Sequence, residues 1–90
     1  MSDTVLKENF EKAVNIVNNL KKKPSDSELL ELYALFKQAN FGKNNTSKPG
    51  IFKVRHRAKW NAWNNLGNMS KDEAMQKYID ISMKLFGMYG

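Results

Sequence analysis

The sequence predicts an all-α domain built from four helices, and three observations carry that expectation. Apolar residues recur with a helical period in four separate segments. Two Ser-x-x-Glu capping boxes, Ser25 with Glu28 and Ser70 with Glu73, each stand at the head of such a segment. Strand alternation, hairpin turn pairs and internal repeats are all missing from the 90 residues.

In the first segment Leu6, Phe10, Ala13, Val14, Val17 and Leu20 fall at i, i+4, i+7, i+8, i+11 and i+14, the single stripe of an amphipathic helix. Pro24 is expected to stop it after the lysine run 21–23, because proline lacks an amide N–H and restricts the residue before it. Ser25 then caps a second helix bearing Leu29, Leu30, Leu32, Tyr33, Leu35, Phe36 and Ala39, with Gly42 suited to its C′ position. Those side chains are apolar around most of the girth, which implies two faces in use: one for the core and one for something else. Residues 42–50 are loop by composition. A third helix is expected from about Val54 to Leu66, with Ala58, Ala62 and Trp63 on one side and Gly67 ending it. Trp60 and Trp63 are i, i+3 on that helix, so their rings diverge and at least one is expected to be structural. The last helix follows Ser70 and carries Ala74, Met75, Tyr78, Ile79, Ile81, Ser82, Leu85, Phe86 and Tyr89.

Composition narrows the function. The length allows one domain, residues 1–90, with a modest core. The absence of cysteine excludes a disulfide framework, a thiol nucleophile and every thiolate zinc site. His56 is the only histidine, and no acid lies between Glu31 and Asp72 to orient it, so neither a metal site nor a catalytic triad is expected. No Walker loop and no Gly-x-Ser-x-Gly elbow is present. A binding protein without metal or cofactor is the expectation, not an enzyme. Met1 to Phe10 contains no apolar run of signal-peptide length, and no window approaches a membrane span, so the expected location is the cytoplasm. The glycosylation-like triplets at Asn44 and Asn68 are then chance matches.

The formal charge of +6 is confined to one stretch. Residues 1–40 and 61–90 are each neutral, whereas residues 41–60 hold Lys43, Lys48, Lys53, Arg55, Arg57 and Lys59 with no acid. Such a block argues for an anionic partner, whether phosphate, nucleic acid or lipid head group, against the plainer reading of a solvated basic face. On the second helix Leu29, Tyr33 and Lys37 form one line at i, i+4 and i+8, with Phe36 beside Tyr33. On the third, Arg55 and Lys59 are i, i+4, and Trp63 is one turn further. If the two lines face each other they form a groove, cationic at one end and apolar at the other, suited to a phosphorylated head with a greasy tail. Periodicity equally allows Tyr33 and Phe36 to be core, with the lysines snorkelling past them.

Several of these residues fall in recognisable runs: Lys37-Gln38-Ala39 with Gly42, Asn45-Thr46-Ser47-Lys48-Pro49-Gly50, Ala58-Lys59-Trp60-Asn61-Ala62-Trp63-Asn64, Ser70-Lys71-Asp72-Glu73-Ala74-Met75 and Tyr78-Ile79. From about Phe10 to Gly90 the chain resembles the acyl-CoA-binding protein family, without insertions or deletions. The resemblance implies a four-helix up-down-down-up bundle that carries long-chain fatty acyl-CoA esters in the cytoplasm. A monomer without stable membrane insertion is expected, because a bundle of this size with one ligand groove leaves no obvious second apolar face. The resemblance also implies that Tyr33, Lys37 and Lys59 hold the ribose 3′-phosphate, that Phe36 and Tyr78 surround the adenine and ribose, that Arg55 makes a further head-group contact, and that Leu29 lines the acyl groove. Two positions depart from the family pattern. Phe36 stands where many members have Tyr, which keeps stacking but loses a hydroxyl, and Asn18 stands where many have Lys, which removes a cation from the first helix. Two other classes compete with the carrier: a basic nucleic-acid-binding domain, whose affinity would fall steeply with salt, and a protein-interaction module using the second helix as a groove. Neither uses the Tyr33, Lys37 and Lys59 constellation, so no nucleic acid is expected among the partners.

Overall fold

Four helices organise the chain in the computed structural model, which describes residues 2–90: α1 (Ser2–Asn18), α2 (Asp26–Phe41), α3 (Val54–Asn64) and α4 (Lys71–Tyr89). Met1 lies outside the described residues, among which no strand occurs. Both serine caps are in place. Ser25 Oγ accepts from the Glu28 amide at 3.2 Å, and Glu28 Oε1 accepts from the Ser25 amide at 2.8 Å, closing a full capping box. Ser70 Oγ accepts from the Glu73 amide at 3.0 Å, while the Glu73 carboxylate turns to Lys77 Nζ, 4.0 Å away.

Two helix ends differ from the sequence expectation. Helix α1 stops at Asn18, before Leu20 and before the lysine run. The Asn19 and Leu20 amides tighten to i−3 carbonyls, at 3.2 and 3.4 Å, and the Asn19 side chain bonds the Asn15 carbonyl at 2.8 Å. The next two amides leave the helix altogether: Lys21 and Lys22 both donate to the Tyr89 carbonyl at the far end of α4, at 3.0 and 3.1 Å. The stop is therefore made by a tertiary acceptor, and Pro24 follows it as a buried link in the connection. Helix α3 ends at Asn64 and not Leu66, because the Leu66 and Gly67 amides close short turns onto Trp63 and Asn64 at 3.0 and 3.1 Å. Gly67 completes the exit with φ +58°, a conformation that penalises any side chain.

End-to-end contacts set the direction of each helix. Tyr89, at the end of α4, meets the residues just after α1, so those two helices run the same way. Tyr89 also donates its hydroxyl to Glu28 at 2.9 Å near the start of α2, so α2 runs opposite to α4. Trp63, near the end of α3, donates its indole N–H to the carbonyl of Gly42 at the end of α2 at 2.9 Å, which makes α3 parallel to α2. The order is up, down, down, up. Two consecutive parallel helices need a long return, and residues 42–53 supply it.

The core joins Phe10 and Ala13 of α1, Leu32, Leu35 and Ala39 of α2, and Ala74, Tyr78 and Leu85 of α4. Each fully buried leucine there contributes about 1.5–3 kcal/mol through removal from water. Within it Gln38 is fully buried and donates to the carbonyls of Gly67 and Met69 at 3.1 and 2.7 Å, holding the α3–α4 connection against α2. Helix α1 packs on α4, α4 on α2, and α2 on α3. Helix α3 is thus attached along one side only, which leaves an open trough between α2 and α3.

Candidate ligand-binding site

The trough consists of two clefts that share Tyr33 and Lys59. One, of about 460 Å³, is lined by Tyr33, Lys37, Lys53, His56, Lys59, Trp60 and Trp63 with Thr46, Ser47 and Pro49 of the return loop. The other, of about 370 Å³, is lined by Leu29, Leu30, Tyr33, Val54, Ala58 and Lys59, with Lys23, Asp26 and Arg55. The two lines of residues expected to face each other do so. Leu29, Tyr33 and Lys37 on α2 run along one wall, and Arg55 and Lys59 on α3 along the other, because parallel helices keep the same end-to-end order.

Tyr33 is the hinge of the arrangement. Its half-buried ring lies between two cations, with Lys59 Nζ 5.2 Å and Lys37 Nζ 5.9 Å from its centroid. Lys37 Nζ also stands 4.9 Å from the Phe41 ring and 5.5 Å from the Trp63 ring, so three aromatic faces hold one ammonium. The one ion pair among the described residues joins Lys77 to Glu73 on the outside of α4, so neither Lys37 nor Lys59 is neutralised by a carboxylate. The aromatic rings orient these cations while leaving their N–H groups free to bond an anion.

Other expected residues lie elsewhere. Phe36 sits on the flank of α2 turned towards α1 and α4, where its ring packs 6.0 Å from Phe10 and 6.4 Å from Tyr78. It lines a separate cleft of about 390 Å³ with Lys7, Phe10, Val14, Asn40 and Met75. Tyr78 is 4% exposed, edge-on to Phe10 at 5.1 Å, and burial pushes its hydroxyl pKa up to about 12. The choice between groove and core is therefore settled residue by residue: Tyr33 faces the trough, Tyr78 belongs to the core, and Phe36 covers the core from outside. Asn18 is exposed at the last position of α1 and lines none of these clefts. Arg55 lies with Leu29 and Leu30, so the apolar end also carries a cation.

Sequence reasoning left the return loop without a position, although it forms one wall of the cationic cleft. Asn44 is buried and its Oδ1 accepts from the Thr46 amide at 2.9 Å and the Thr46 hydroxyl at 2.6 Å. The Trp60 indole N–H donates to the Thr46 carbonyl at 3.0 Å, and Arg57 bonds the Pro49 carbonyl at 3.1 Å, so the loop is tied to α3. The available signal was Asn44-x-Thr46, the pattern of a self-bonding Asx turn.

Comparison with known proteins gives a consistent result. A family model described as Acyl CoA binding protein matches residues 7–82. The chain is 49% identical over 80 residues to an acyl-CoA-binding protein of Saccharomyces cerevisiae, covering 89% of this chain and 92% of that one. It is 44% identical over 81 residues to acyl-CoA-binding protein homolog 1 of Caenorhabditis elegans, covering 90% and 94%. The crystal structure of Oryza sativa Acyl-CoA-Binding Protein 2 superimposes with a TM-score of 0.93 at 37% identity, covering 97% of this chain and 95% of that one.

Proposed function

The chain belongs to the acyl-CoA-binding protein family, and from that premise we infer that it binds long-chain fatty acyl-CoA esters and carries them between sites of use. The observation that supports this most directly is the pair of clefts joined at Tyr33 and Lys59, one cationic and one largely apolar. A phosphorylated head and an acyl tail need such a pair in line. In this reading the ammonium groups of Lys37 and Lys59 and the hydroxyl of Tyr33 hold the ribose 3′-phosphate, whose charge is about −1.5 to −2 at neutral pH. The acyl chain lies along Leu29 and Leu30, each buried methylene contributing about 0.8 kcal/mol. Arg55, at the mouth of that apolar end, bonds the head group where it enters the groove. Phe36 offers a ring face to the adenine from the neighbouring cleft, and Tyr78 acts by holding Phe36 and Phe10 in place.

Carriage needs capture and release, and no covalent step, so the reading assigns no catalytic residue, metal or cofactor. The relatives above are likewise named as binding proteins. No helix among the described residues is long and apolar enough to cross a membrane. The carrier in this reading is intracellular and acts as a monomer.

The test is calorimetric titration with a long-chain acyl-CoA, its 3′-dephospho analogue, free CoA and a short oligonucleotide. Loss of the 3′-phosphate is expected to weaken binding by about 3 kcal/mol or more, roughly a hundredfold, because at least one charged hydrogen bond worth about 1.5–3 kcal/mol disappears from each lysine. Equal affinity for the phospho and dephospho esters overturns the roles given to Tyr33, Lys37 and Lys59. An oligonucleotide that binds as tightly as the ester overturns the carrier reading itself.

A further inference from the structure

The cationic cleft holds one group that the phosphate reading leaves without a role. His56, the only histidine of the chain, lines it together with Lys37, Lys53 and Lys59. Lys53, His56 and Lys59 follow one another at i, i+3 and i+6 from the start of α3, and Trp60 stands one turn beyond His56. They therefore share the strip of α3 that looks into the cleft. The His56 side chain is exposed there, open to whatever the cleft holds. Helix α3 packs on α2 alone, so the groups across from His56 are Tyr33 and Lys37 of α2, with Thr46 and Ser47 of the return loop. On its own side stand Lys53 and Lys59, and Lys48 Nζ lies 5.7 Å from the Trp60 ring. None of these is acidic, and the chain has no acid between Glu31 and Asp72. An anionic partner for the imidazole in this cleft has to arrive with the ligand.

We propose that His56 is a further 3′-phosphate contact, which takes up a proton from solvent as the ester binds and so couples the grip on acyl-CoA to pH. This deepens the proposed function and rests on it. Lys37 and Lys59 draw a phosphate dianion into the cleft that His56 also lines, and an opposite charge close by favours the protonated imidazole. The imidazolium then donates a charge-assisted hydrogen bond to a phosphate oxygen, about twice as strong as a neutral one. Histidine changes charge between about pH 5 and 8, whereas lysine keeps its charge throughout that range. The contribution of His56 is accordingly present on the acid side and lost as pH rises. The phosphate also titrates, near about pH 6, so the comparison of variants, not the affinity of wild type alone, isolates the histidine.

Calorimetric titration of wild type, His56→Gln and Lys53→Gln with a long-chain acyl-CoA, at about pH 6 and about pH 8, tests the proposal. His56→Gln is expected to bind at least about fivefold more weakly than wild type at the lower pH and within about twofold of it at the higher, with an unchanged unfolding midpoint. Near neutral pH, titrations in buffers of different ionisation heat are expected to show wild type taking up more protons than His56→Gln. Lys53→Gln is expected to differ from wild type by the same factor at both pH values, because only a charge is removed. With the 3′-dephospho ester the gap between wild type and His56→Gln is expected to vanish. A His56→Gln deficit that is equal at the two pH values, or absent at both, overturns the proposal. A gap that persists with the dephospho ester overturns the assignment to the 3′-phosphate. The same pH-dependent gap in Lys53→Gln shows a change in the field of the whole cleft and overturns the role given to His56. Failure of wild type to bind the ester at either pH overturns the carrier reading and this inference with it, whereas tight binding indifferent to His56 overturns this inference alone.

Discussion

Replacing Trp63 probes the joint between folding and binding, because this one ring serves both. It is 6% exposed, donates its indole N–H to the Gly42 carbonyl at 2.9 Å, packs 6.3 Å from Phe41 and lies 5.5 Å from Lys37 Nζ. Trp63→Ala removes the largest buried side chain that α3 contributes, and core truncations of this kind cost about 3–5 kcal/mol. A chain of this length has a total stability of about 5–13 kcal/mol, so roughly a quarter or more is at stake. The melting temperature is expected to fall by about 12 °C or more, since each kcal/mol moves a small domain by about 4–8 °C. Trp63→Phe keeps most of the apolar burial and loses the bond to Gly42, for a cost of about 1–1.5 kcal/mol. Trp60 is only half-buried, so Trp60→Ala is expected to cost clearly less than Trp63→Ala. Guanidinium melts followed by far-ultraviolet circular dichroism give these values without relying on tryptophan emission. Affinity for acyl-CoA should fall in Trp63→Phe only modestly, because Lys37 keeps Tyr33 and Phe41 beneath it. If Trp63→Ala costs less than about 1 kcal/mol, the indole does not fix α3 against α2, and the groove lacks the rigid wall argued for it.

Three further outcomes are expected. Adding two methylenes to a bound acyl chain should tighten binding by about 1.6 kcal/mol, roughly fifteenfold, until the chain outgrows the groove, and Leu29→Glu should weaken long esters far more than free CoA; a calorimetric series that is flat with chain length refutes the placement of the tail. Tyr78 should make the fold sensitive to alkali: its pKa is raised from 10.0 to about 12 by burial, so the folded chain keeps a proton that the unfolded chain loses. That contribution is complete below the unfolded value and is lost as pH rises from 10.0 towards about 12. Tyr78→Phe should therefore show a smaller loss of urea midpoint than wild type over that range, and identical pH profiles would contradict the burial argument. Gln38→Leu should cost about 2–4 kcal/mol, because the Gly67 and Met69 carbonyls lose their donor; a loss below about 1 kcal/mol in urea melts would show that water replaces the amide.

The helices themselves were legible because their signals are local. The apolar period marked four segments, Ser25 and Ser70 marked two starts, and Gly42 and Gly67 marked two exits that require positive φ, at +75° and +58°. The Leu29, Tyr33 and Lys37 line was equally visible, since residues four apart on a helix must share a face. What covers each flank was not visible, because that depends on partners distant in the chain. Tyr33 and Phe36 are three residues apart, yet one faces Lys59 and the other packs on Phe10 and Tyr78. The end of α1 was misplaced for the same reason: the carbonyl that draws Lys21 and Lys22 out of the helix belongs to Tyr89. Local chemistry determined which residues could bind a phosphate and which could cap a helix. Tertiary structure decided which of them meet, because one-sided attachment of α3 opens the trough and the return loop closes its wall through Asn44, Thr46 and Trp60.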